Sequence, residues 1–146
     1  PSKKELQAIR FHYMVKFAFL RRSLVKEVVL QILKDAGLKA EAVNYIFCSD
    51  DYLLKMNRQH LRHDYYTDII TFDLSEQKGL DVSDIYISID RVRDNAKSYG
   101  ISFQDELLRV IFHGALHLAG FSDKSASGKA KMRNAEERYL MVYDKR

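Results

Sequence analysis

The chain has 146 residues, of which 47% are hydrophobic and 30% charged, with a formal net charge of +4. These proportions exclude a disordered polymer and fit one globular domain spanning residues 1–146. The only proline is Pro1, the only cysteine is Cys48 and no apolar run nears 20 residues, so there is no proline-rich linker, internal disulfide or spanning helix; the expectation is a cytoplasmic protein without a membrane partner.

In chain order, Ile9, Phe11 and Tyr13 alternate with Arg10 and His12, which predicts a first strand. Leu24, Val28, Ile32 and Ala36 recur every four residues and predict an amphipathic helix from Ser23 that Gly37 stops. Asn44 to Cys48 reads as an apolar strand with Cys48 in the core, and Ser49 or Asp50 caps a helix running to about His60. A polar loop to Tyr66 separates it from a strand over 67–74, and a connection containing Gly79 leads to a strand over 85–89. Asp90 is placed to cap a helix that ends near Gly100. Ser102, with Asp105 three residues later, resembles a capping box and opens a helix that ends at Gly120. A basic amphipathic helix covers 127–143. Strands and helices interleave, two strands adjoin, and three helices close the chain, which predicts an α+β fold: a mixed sheet of about four strands packed with about five helices.

Charge is unevenly spread. Residues 1–40 hold nine Lys/Arg against three Asp/Glu, residues 41–123 hold eight against fourteen, and residues 124–146 hold seven against three. Two basic ends flank an acidic centre. Basic surface favours polyanions, and an acidic centre is where metal ligands and catalytic carboxylates can sit.

His113 and His117 are four residues apart, so they share one face of the predicted helix and can grip one metal ion. Gly120 can reverse the chain, and Asp123 follows six residues after His117. Three such ligands leave a fourth position for water, the arrangement of catalytic zinc. The competing account is a pair of ordinary helix histidines, with Asp123 an exposed loop residue or a helix cap. The zinc-protease pattern H-E-x-x-H places its general base beside the first histidine, whereas this chain has Gly114 there, which argues against peptide hydrolysis by that route.

The run H-G-A-L-H-L-A-G-F-S-D from His113 to Asp123 resembles the signature of the YbeY family. Two further blocks agree: Arg62 followed by Thr67-Asp68-Ile69-Ile70-Thr71-Phe72, and Asp84-Ile85-Tyr86-Ile87-Ser88. Together they cover about residues 43–143 in the family's order. The resemblance implies a zincin-like fold and a single-strand-specific, zinc-binding endoribonuclease. It also implies work on the 3′ end of small-subunit ribosomal RNA, in ribosome quality control, and at the ribosome or its small subunit. It places the metal ligands at His113, His117 and Asp123 and the arginine of the substrate cleft at Arg62, which otherwise reads as a surface ion-pair residue. The family usually has histidine where this chain has Asp123, so the expected single Zn²⁺ would be a weaker Lewis acid. Two histidines and a carboxylate also suit another divalent metal such as iron. Asp68 reads as an acceptor at a strand start, and His60 and His63 as surface residues.

Overall fold

The computed structural model describes residues 1–146. Ten elements follow one another: α1 (Lys3–Gln7), β1 (Ile9–Tyr13), α2 (Arg22–Asp35), β2 (Lys39–Cys48), α3 (Asp50–Leu61), β3 (Ile69–Asp73), β4 (Leu80–Ser88), α4 (Ile89–Tyr99), α5 (Phe103–Leu118) and α6 (Ala126–Asp144). The α+β expectation holds, with one additional helix. The helix not foreseen is α1, five residues long and held by a capping box: Ser2 Oγ accepts from the Glu5 amide at 3.1 Å while Glu5 Oε1 accepts from the Ser2 amide at 3.2 Å. It buries no residue, so no apolar period announces it.

The four strands form one sheet in the order β1-β2-β4-β3. β1 and β4 each run parallel to β2, and β3 runs antiparallel to β4 on the edge. Alternation along the strands splits the apolar residues between two faces. Val43, Tyr45, Phe47, Ile85 and Ile87 face the main core shared with α2, α4, α5 and α6, and Ile69 packs against it. Cys48 and Ile70 face the other side, where Leu53 of α3 covers them. Phe11, Phe17, Phe19 and Phe47 pack at centroid separations of 5.0–5.9 Å, so the segment between β1 and α2 folds back over the sheet.

Helix α5 runs through the middle of the core. Tyr45, fully buried on β2, donates its hydroxyl hydrogen bond to the Ile111 carbonyl at 2.8 Å and fixes the height of α5 against the sheet. Gly114 is where the helix comes closest. A Cβ there would stand 3.0 Å from Ile69 Cδ1 and 3.2 Å from Ile85 Cγ2. Ser88 caps α4, its Oγ accepting from the Arg91 amide at 3.1 Å; Asp90, expected in that role, lies inside the first turn. No helix is long and apolar enough to cross a membrane.

Candidate functional site

The spacing that put His113 and His117 on one face of a helix holds on α5, and both line one cavity of about 370 Å³. Its other walls are Thr67, Asp68, Ile69 and Thr71 at and before the edge strand β3, Arg109 and Val110 on α5, and Asp123 beyond the helix end. Asp123 reaches the cavity because α5 ends in a full reversal. Gly120 adopts φ 104°, its amide donates to the His117 carbonyl at 3.1 Å, and the Phe121 amide donates to the Leu116 carbonyl at 3.0 Å. That turn brings Asp123 Oδ2 to 3.6 Å from His113 Nε2.

Behind this rim lies an ionic network. His113 Nδ1 meets Glu136 Oε2 of α6 at 2.7 Å. The other oxygen, Glu136 Oε1, accepts from Arg109 Nη1 at 3.4 Å. Arg109 also grips Glu106 with two hydrogen bonds, Nε to Oε1 at 2.8 Å and Nη2 to Oε2 at 2.5 Å, and its Nη2 stands 3.7 Å from Asp68 Oδ2. Glu106 is fully buried and Glu136 nearly so, so both carboxylates rely on Arg109 and His113 for compensation. Burial opposes a charged His113 ring, but the hydrogen bond and charge of Glu136, helped by Asp68 and Asp123, raise its pKa above the ordinary histidine value. Burial also lifts Asp68 above the usual carboxylate range, against the pull of Arg109 and His113. The hydrogen bond to Glu106 raises Arg109 further above its already basic value.

The residues present suit a metal in kind. Two ligands on a tetrahedral zinc, each about 2.0–2.1 Å from the ion, stand about 3.3 Å apart; His113 Nε2 and Asp123 Oδ2 are close to that separation. The Nδ1 contact to Glu136 leaves Nε2 of a neutral His113 ring as the lone-pair nitrogen, as metal-binding histidines require. As the side chains stand, no three His, Cys, Asp or Glu groups converge closely enough to grip an ion, and His117 is exposed at the rim.

Arg62 does not line the cavity. It ends α3 in a left-handed backbone conformation with φ 56°, and its exposed side chain makes no hydrogen bond or ion pair within the chain. Buried Asn57 steadies the loop beyond it, its Nδ2 donating to the Tyr65 carbonyl at 2.9 Å. His60 and His63 are exposed, His63 stacked on Tyr65. The position that carries glutamate in the zinc proteases is Gly114, which faces Ile69 and Ile85 in the core. A longer side chain there would meet the sheet. Sequence reasoning missed Arg109, Glu106 and Glu136. Arg109 carries a signal, since Arg109, His113 and His117 follow a four-residue step; Glu136 carries none, because α6 brings it in from 23 residues away.

The family model for endoribonuclease YbeY matches residues 13–144. A protein named endoribonuclease YbeY from Cytophaga hutchinsonii is 47% identical over 139 residues, covering 95% of this chain and 97% of its own length. One of the same name from Bacteroides thetaiotaomicron is 42% identical over 128 residues, covering 88% of this chain and 93% of its own. The solution structure of TM1509 from Thermotoga maritima shares 31% identity at a TM-score of 0.62, over 94% of this chain and 92% of that one. The chain belongs to the YbeY family and is an endoribonuclease.

Proposed function

We propose that this endoribonuclease cuts single-stranded RNA with one bound zinc ion. Its substrate is the 3′ end of small-subunit ribosomal RNA, which it trims and checks at the ribosome in the cytoplasm. The observation that carries this reading is the shared cavity, which His113, His117 and Asp123 line together with Asp68 and Thr71. Zinc held by those three side chains would supply a Lewis-acid charge beside the scissile phosphodiester.

The chain's own groups do the rest. Arg62 has a free guanidinium whose planar fork matches two phosphate oxygens, and it binds the RNA backbone from the loop after α3. Arg109 lines the cavity, but three carboxylates hold it, so much of its charge is offset inside the protein. Asp68, lifted by burial, holds a proton more readily than a free carboxylate and is the cavity group suited to receive one. The Thr71 side chain offers a hydroxyl for a phosphate oxygen.

The test is a cleavage panel on zinc-loaded protein with metal content measured alongside. The reading expects about one ion per chain, cutting of single-stranded but not double-stranded RNA, loss of loading in His117→Ala, and a drop in cleavage at full metal content in Arg62→Ala. Equal loading in His117→Ala, or undiminished cleavage in Arg62→Ala, would remove those residues from their roles.

A further inference from the structure

Glu136 lies on α6 and has no direct opening to the cavity, yet it makes the shortest contact to either histidine of the site. Its two oxygens are divided: Oε2 takes His113 Nδ1 at 2.7 Å and Oε1 takes Arg109 Nη1 at 3.4 Å. Arg109 is itself locked to Glu106, which is fully buried on the same helix. The carboxylate therefore cannot rotate away from His113 without leaving a buried charge unpaired, a costly outcome in a low-dielectric setting. A neutral histidine in water prefers the proton on Nε2. A fixed carboxylate beside Nδ1 reverses that preference and leaves the Nε2 lone pair pointing where Asp123 Oδ2 waits at 3.6 Å.

We propose that Glu136, clamped by Arg109, is a positioning residue: it sets the His113 tautomer and ring orientation so that Nε2 is ready to ligate a metal before any metal arrives. This deepens the reading of His113 as a metal ligand and rests on it. Met132, Ala135 and Tyr139, buried on the same helix, hold α6 on the core and so deliver the carboxylate to His113.

The experiment has two arms on the full chain. In the first, nitrogen-resolved NMR of the histidine rings in metal-free protein at mildly alkaline pH assigns the tautomer. Wild type is expected to carry the His113 proton on Nδ1, Glu136→Gln to keep it there through its amide oxygen, and Glu136→Ala to move it to Nε2. In the second, zinc affinity is measured by competition with a chromophoric chelator. Affinity is expected to fall about 10–100-fold in Glu136→Ala and by a smaller factor in Glu136→Gln, with circular dichroism confirming the fold. If Glu136→Ala folds, unchanged zinc affinity in it overturns the proposal; if it does not fold, the wild-type tautomer decides. An Nε2–H tautomer in wild type overturns it as well. If instead wild-type protein takes up no zinc while the tautomer behaves as expected, the metal reading fails and the positioning of His113 by Glu136 survives.

Discussion

Arg62 occupies a conformation that side chains avoid. Its φ of 56° sits where a glycine usually ends a helix, and a left-handed residue with a Cβ costs roughly 1–2 kcal/mol. The structure offers that side chain no partner in return. In the role proposed for it, the side chain repays that strain outside the fold, at the substrate. Arg62→Gly should therefore keep the melting temperature or raise stability by up to about 1 kcal/mol, after the entropy of glycine is set against the relieved strain, while cutting RNA cleavage as deeply as Arg62→Ala does. A clear loss of stability in Arg62→Gly would mean the arginine holds the loop. At this scale the sequence was legible wherever function is written into local spacing. His113, His117 and Asp123 lie within eleven residues, and helix geometry with one glycine turn is enough to bring them to one cavity. Glu136 was not legible, because its place beside His113 depends on how α6 returns across α5.

The elements that build the site are α5, its turn and the start of α6. Gly128, in the first turn of α6, is the tight point of that unit. Its amide donates to Ser125 Oγ at 3.0 Å, and a Cβ at this residue would stand 2.5 Å from the Ser122 carbonyl oxygen. A backbone atom has no rotamer by which to yield, so the loop carrying Asp123 would have to move. Alanine normally gains up to about 1 kcal/mol over glycine in a helix, yet Gly128→Ala is expected to lower stability by about 1–3 kcal/mol and to weaken zinc binding through Asp123. Denaturant melts and the chelator competition check it, and a stabilised variant with unchanged zinc affinity would contradict it. Apolar runs located the buried ends of β2 and β4, from Asn44 and Ile85 onward. They missed the earlier halves, where Lys39 to Val43 pairs with Leu80 to Ser83 through a bulge and Val43 is the only buried apolar residue. Asp81 is buried in that stretch, and its carboxylate accepts from the Ser83 and Ser75 hydroxyls at 2.6 and 3.2 Å, an arrangement with no apolar signature.

Across the whole molecule, the two basic segments that lie at opposite ends of the chain become neighbours. Helices α2 and α6 pack together, Arg21 Nη2 donates to the Arg146 carbonyl at 3.1 Å, and the Arg21 guanidinium sits 5.1 Å from the centre of the Tyr143 ring. Charge counting revealed two basic ends around an acidic centre but not their convergence, since that is a property of topology. The tie between α2 and α6 that can be titrated is Tyr139, buried on α6, whose hydroxyl donates to Asp35 Oδ2 at 2.6 Å. Burial, and then the hydrogen bond and charge of Asp35, push the tyrosine up to about 12 from its ordinary value of 10.0. Because the folded value lies above the unfolded one, the protonated hydroxyl stabilises the fold fully below pH 10, and that contribution is lost as pH rises from 10 through 12. Tyr139→Phe removes the hydrogen bond and should cost about 1 kcal/mol at neutral pH. The gap between wild type and Tyr139→Phe should then close as denaturant melts are repeated from neutral pH up to about pH 12, where wild type loses stability that the variant never had. Other tyrosines and lysines titrate in both proteins and cancel in the difference. A gap that stays constant to the alkaline limit would show that the α2–α6 tie does not depend on the Tyr139 proton.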